Sequence, residues 1–306
     1  MKIIMIGHGM VGHKFIESVL EHVGDDVEIT ILAEEPRLAY DRVHLTEYFS
    51  GKSAKDLTLC RADFADAYGI DLRLNTKAVA IDQSHKTVTT NHGDVLSFDK
   101  LILATGSYAF VPPISGNDRE NCFVYRTIED LDAIRAASLN AKSGVVIGGG
   151  LLGLEAAKAL RDLNLETHVV EFAPRLMAVQ IDDLGGKVLR AKIENLGVKV
   201  HTQKATSSIE EGATTKHVMK FGDGSELETD IILFSAGIRP RDELARQSGL
   251  ALGERGGIMI NDYCQTSNPD IYAIGECALW QNKIYGLVAP GYDLSLIHIS
   301  EPTRRT

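Results

Sequence analysis

An α/β protein with two doubly wound, Rossmann-like domains, each carrying antiparallel β strands, is predicted by three observations. First, two segments repeat one layout: an apolar run, glycines spaced G-x-G-x-x-G, an apolar-periodic stretch and a second apolar run. Second, a short alternating run follows each layout and leads into a glycine turn, 86–90 before Asn91-His-Gly93-Asp94 and 218–221 before Gly222-Asp223-Gly224-Ser225, which reads as a β-hairpin. Third, at roughly 150 residues per domain, 306 residues suggest two domains with full cores.

The first layout begins with the apolar run Lys2-Ile-Ile-Met-Ile6. It continues through Gly7-His-Gly9-Met10-Val11-Gly12, a helical stretch over 13–22 with Phe15, Val19 and Leu20, and a strand over 27–32. The second has a strand over 144–147, then Gly148-Gly-Gly150-Leu151-Leu152-Gly153, a helix over 154–163 and a strand over 167–170. The leading glycine permits the tight turn, the next lets the backbone approach a pyrophosphate, and the last lets helix and strand pack closely. The helix N-terminus adds free N–H groups and the positive dipole end.

An acid at the end of the second strand is the group expected on an adenosine ribose. Glu171 fills that place, 18 residues past Gly153, close to the ~20 of the pattern. Its carboxylate would accept from both hydroxyls and repel a 2′-phosphate, which favours NADH over NADPH. In the first layout the strand ends at Ala33, so the acid is displaced to Glu34 and Glu35, which can equally be solvated loop residues. Three further apolar strands end in small residues, at Ala104-Thr105-Gly106, at Ser235-Ala-Gly237 and at Gly275-Glu276. They would face the carboxyl edge of a sheet, where open α/β sheets bind ligands.

The 32 Lys and Arg against 42 Asp and Glu leave a net charge of −10 without a basic run, which argues against a nucleic-acid partner or an anionic membrane. No stretch approaches the ~20 apolar residues of a membrane span, and the first apolar run is too short for a signal-peptide core. The 44% apolar and 24% charged fractions are those of an ordinary globular protein. Cys60, Cys122, Cys264 and Cys277 show no paired or metal-ligand spacing. Cys264 and Cys277 read as small buried hydrophobes, the set suits a reducing cytoplasm, and no metal site is expected.

Two dinucleotide loops, an Ala-Thr-Gly turn between them and a Gly-Glu turn after them resemble the flavoproteins with two dinucleotide-binding domains, the pyridine nucleotide-disulfide oxidoreductase superfamily. A finer resemblance rests on residues 34–49, on Val124-Tyr-Arg-Thr-Ile-Glu-Asp130, on 148–157 and on Val170-Glu-Phe-Ala-Pro174. It extends to Gly237-Ile-Arg-Pro-Arg241 and Arg255-Gly-Gly-Ile-Met-Ile-Asn-Asp262. Over residues 1 to about 292 the chain is similar to the N-terminal part of the large subunit of NADH-dependent, assimilatory-type nitrite reductases.

That resemblance implies FAD on Gly7, Gly9, Met10, Val11 and Gly12, with Glu34 and Glu35 at its adenosine ribose and Arg42 at its phosphates. Val79 would offer backbone contacts near adenine, Ala104, Thr105 and Gly106 would line the flavin side, and Gly275-Glu276 would hold the ribityl chain. Gly148, Gly150, Leu151, Leu152, Gly153 and Glu171 would carry NADH, with Glu155 toward the nicotinamide and Gly237 at the same edge. Glu276 stands where the wider superfamily has aspartate, and Glu47 where ferredoxin and rubredoxin reductases have a lysine, so a Lys–Glu155 pair is not expected.

Residues 38–58 contain no cysteine, which removes the disulfide-reductase and peroxidase branches. Hydride would pass from nicotinamide to flavin without a side-chain acid or base, and electrons would leave singly to an iron–sulfur cluster and siroheme encoded further along. A small subunit is implied as partner, and a homodimer is left open. The alternatives are a stand-alone rubredoxin or ferredoxin reductase and a nucleotide-binding fragment without turnover. The expected domains are 1–112 with 233–293 for FAD and 113–232 for NAD(P)H. Residues 294–306 resemble a translated sequencing adaptor and are expected not to be native protein; resequencing the locus tests this.

Overall fold

The computed structural model describes residues 1–23, 27–284, 286 and 291; Tyr292 and the adaptor-like stretch lie outside them. The chain forms two compact units. The first comprises Met1–Asp41, Leu57–Tyr108 and the chain from Arg239 on; the second comprises Arg42–Asp56 and Ala109–Ile238 and so is inserted in the first along the sequence.

The first unit is built on a five-stranded parallel sheet in the order Ile271–Ala273, Lys100–Leu103, Lys2–Ile6, Glu28–Leu32, Asp71–Arg73. Both faces of this sheet are covered, and its strands read accordingly as continuous apolar runs. Ile4, Ile6, Leu101 and Leu103 share one cluster with Ile81 and Val88 of the antiparallel sheet Ala78–Asp82, Thr87–Thr90, Val95–Ser97. Ile3, Met5 and Ile102 share the opposite cluster with Phe15, Ile16 and Val19 of the helix Met10–Val23.

The second unit repeats the plan with the parallel order Lys199–His201, Glu166–Val170, Ser143–Ile147, Ile231–Phe234, Cys122–Val124. Val145, Ile147, Ile232 and Phe234 pack toward Ile209, Met219 and Phe221 of a second antiparallel sheet, Thr206–Glu211, His217–Phe221, Glu226–Thr229. Both units are Rossmann-like, and both glycine turns predicted as hairpins are hairpins.

Several boundaries differ from expectation. The helices after the glycine loops begin at Met10 and Leu151, three residues earlier than residues 13 and 154, because the last glycine of each motif already lies in the first helical turn. Residues 42–56, 109–112 and 233–238, expected with the first domain, fall in the second compact unit. The 3₁₀ helix Leu45–Ser50 is fastened there by residues far away in sequence. Tyr125 Oη donates to Thr46 Oγ1 at 3.2 Å, Tyr48 Oη donates to Asp132, and Arg135 donates to the Tyr48 carbonyl at 2.5 Å while its guanidinium lies 4.2 Å from the Tyr48 ring centroid.

Candidate dinucleotide loops

Corresponding hydrogen bonds fix the two loops. Gly7 N–H donates to Leu32 O and Gly148 N–H to Val170 O, each at 2.8 Å; Ala104 N–H reaches Ile6 O at 2.8 Å and Ser235 N–H reaches Ile147 O at 2.9 Å. Each loop therefore lies at the carboxyl edge of its central strand, beside the crossover strand, the switch point of a doubly wound sheet.

The glycines divide the work as the spacing predicts. Gly7 and Gly148 have φ of +103° and +123°, and a Cβ on either would lie 2.2 Å from a backbone oxygen, of Ala104 or of Ser235. A Cβ on Gly12 would lie 2.8 Å from Gly7 O, and one on Gly153 would lie 1.9 Å from Gly148 O, so only glycine lets these helices start so close to their strands. Gly9 and Gly150 have nothing within 4 Å of the Cβ position. The middle glycine of each motif thus leaves the backbone accessible from the side, the shape a pyrophosphate needs. Met10 and Val11 are half-buried on the first helix turn, whereas Leu151 and Leu152 are exposed on the second.

The acids differ between units. Glu171 N–H donates to His201 O just as Ala33 N–H donates to Arg73 O, so Glu171 and Ala33 are structural counterparts. The Glu171 carboxylate turns back over its loop. Oε2 accepts from Gly149 N–H at 2.5 Å and Oε1 from Ala173 N–H at 2.7 Å. Glu34 is half-exposed and pairs with Lys77 at 3.1 Å and Arg241 at 2.9 Å, while Glu35 accepts from Tyr40 Oη at 2.9 Å.

Other predicted residues are placed as follows. Val79 is the extra residue of a β-bulge between Ala78 and Ala80, outside the ladder, which frees its backbone groups. Thr105 Oγ1 donates to Arg241 O at 2.7 Å, and Gly106 has φ of +69°. Gly275, at φ +76°, faces Val11 at 3.4 Å from its Cβ position, and Glu276 accepts from Ser107 Oγ at 2.6 Å. Gly237, at φ +114°, has open space at its Cβ position.

Arg42 is assigned to the second unit, and its Nη1 donates to Arg126 O at 3.1 Å. Glu155 is half-buried on the helix Leu151–Asp162, and burial pushes its carboxyl up, with His44 opposing. Glu47 pairs with Lys52. The segment Val124–Asp130 contains a capping box, in which Thr127 Oγ1 accepts from Asp130 N–H at 3.2 Å and the Asp130 carboxylate accepts from Thr127 N–H at 2.8 Å.

Ser107 and Gly149 were not singled out by the motif reading. Ser107 leaves no local signal, whereas Gly149 is legible as the centre of three consecutive glycines. Cys264 and Cys277 are fully buried. Among the described residues no group of three or more His, Cys, Asp or Glu could hold a metal, and no helix is long and apolar enough to cross a membrane.

The model of the pyridine nucleotide-disulphide oxidoreductase family matches residues 1–293. The chain is 54% identical over 300 residues to the nitrite reductase (NADH) large subunit of Escherichia coli, covering 97% of this chain and 35% of that protein. It is 57% identical over 297 residues to the nitrite reductase [NAD(P)H] large subunit of Klebsiella oxytoca, covering 96% of this chain and 31% of the relative. The chain thus spans about a third of the length of these curated relatives. Among solved structures, the water-forming NADH oxidase of Lactobacillus brevis bound to NADH matches with a TM-score of 0.90 at 25% identity, over 99% of this chain and 70% of the other. Fold, paired loops and family match agree: the chain belongs to the pyridine nucleotide-disulphide oxidoreductase family.

Proposed function

We propose that this chain is the electron-input part of an NADH-dependent nitrite reductase large subunit, taking electrons from NADH onto FAD for nitrite reduction to ammonia. The observation that carries the reading is the pair of equivalent loops, each opened at its middle glycine, of which only the second has an acid at the strand end. In this reading Gly7, Gly9 and Gly12 hold the FAD pyrophosphate in the unit formed by residues 1–41, 57–108 and 239 on. Glu34 and Glu35 lie at its adenosine ribose, and Gly275 and Glu276 hold its ribityl chain.

Gly148, Gly150 and Gly153 hold NADH in the inserted unit, with the Glu171 carboxylate on the adenosine ribose. When bound, the two cofactors supply hydride acceptance from the nicotinamide and single-electron release from the flavin. The protein's part is to bind and orient them with backbone N–H groups, and no side chain need be acid or base. The relatives' names support the nitrite assignment, and in this reading the acceptor would be an iron–sulfur and siroheme centre in the rest of the enzyme.

Visible spectroscopy tests this directly. The purified chain is expected to be yellow and to be bleached faster by anaerobic NADH than by NADPH. A chain that stays colourless after FAD is added contradicts the reading.

A further inference from the structure

We propose that Gly149 determines coenzyme choice by leaving room for the Glu171 carboxylate to fold back over the second loop. This rests on the reading of that loop as the NADH site. The demand for glycine at 149 comes from space, because its φ is not in the left-handed region that glycine alone adopts freely. A Cβ there would lie 2.7 Å from Leu176 Cδ2, 3.0 Å from Glu171 Oε2 and 3.1 Å from Glu171 Cβ. The Leu176 contact is with the end of a flexible side chain and can give. The Glu171 contact is with a carboxylate restrained at both oxygens, by Gly149 N–H at 2.5 Å and by Ala173 N–H at 2.7 Å.

That restraint has a chemical use. Each oxygen spends one lone pair on a backbone N–H and keeps capacity for one ribose hydroxyl, while the fixed negative charge repels a 2′-phosphate. The loop segment after the acid closes on the same residue, with Met177 N–H donating to Gly149 O at 2.8 Å. The first unit supplies the contrast. There the corresponding positions are His8 and Ala33, a bulky ring opposite a residue without a carboxylate. In this chain a Cβ at position 149 and the inward-turned Glu171 carboxylate compete for one space.

The test is calorimetric titration of the full chain with NADH and with NADPH, for wild type, Gly149→Ala, Glu171→Gln and the two combined. Gly149→Ala is expected to lower the NADH preference about tenfold, the scale of one charge-assisted hydrogen bond, and to lower it no further when Glu171 is already Gln. Gly149→Ala combined with Leu176→Ala, which removes the leucine clash and keeps the carboxylate clash, must lose preference equally; it also decides the matter if the single variant folds poorly. A wild-type preference in Gly149→Ala, beside a reduced one in Glu171→Gln, overturns the proposal and leaves the NADH site standing. An equal loss from Gly149→Ala with and without Glu171 overturns it too. If Glu171→Gln changes nothing, the reading of the loop as an NADH site falls with it.

Discussion

In the first unit the residue between the two leading glycines is His8 and the strand-end residue is Ala33; in the second unit these positions hold Gly149 and Glu171. The glycine framework of the two loops coincides: the left-handed leading glycine, its 2.2 Å approach to a neighbouring carbonyl, the open middle glycine and the glycine that seats the helix. What coincides is what any Rossmann-like phosphate loop demands of its backbone. In the proposed function, positions 149 and 171, against 8 and 33, set which adenosine end is recognised, which separates the structural glycines from the selective one.

The largest expected effect comes from attacking what the loops share. Gly7→Ala and Gly148→Ala each force a methyl group against a backbone oxygen at positive φ. Either should cost on the order of 3 kcal/mol, read as a lower urea midpoint at unchanged slope. If one loop tolerates alanine, the two are not built alike.

A smaller effect should follow from what differs. His8 is buried against Phe64, with ring centroids 6.4 Å apart, and against His13 at 5.5 Å. Burial first and His13 second pull its imidazole down to about 4. The folded value is thus below the unfolded 6.5, so the neutral ring contributes stability that is fully present above pH 6.5 and is lost as pH falls toward 4. Between pH 7 and pH 5 wild type should lose about 2 kcal/mol more than His8→Asn does. Parallel stability profiles for the two proteins would contradict this. Gly149, at the corresponding position, has no such titration.

Much of this was legible because the signals are local. The apolar runs ahead of Gly7 and Gly148 announce strands buried on both faces, and the Asn-His-Gly-Asp and Gly-Asp-Gly-Ser turns announce hairpins. Residues 42–56 fall in the second compact unit through contacts from residues 79 to 87 positions away, Tyr125, Asp132 and Arg135, which no local pattern announces. The engagement of Glu34 by Arg241, 207 residues on, and the bulge that frees Val79 are equally invisible to periodicity. Glu171 was found from its distance to Gly153, but its hold on Gly149 N–H depends on a side-chain direction that no spacing encodes.

The proposed use of one plan for two different dinucleotides is tested most directly at the open middle glycines. At Gly9 and Gly150 no other atom lies within 4 Å of a Cβ position among the described residues, so Gly9→Val and Gly150→Val are both expected to fold. FAD and NADH affinities are to be measured for both. Gly9→Val should weaken FAD by about a hundredfold, or about 2.7 kcal/mol, and leave NADH binding intact, with the reverse for Gly150→Val. Loss of the same cofactor in both variants, or of neither, would contradict the account.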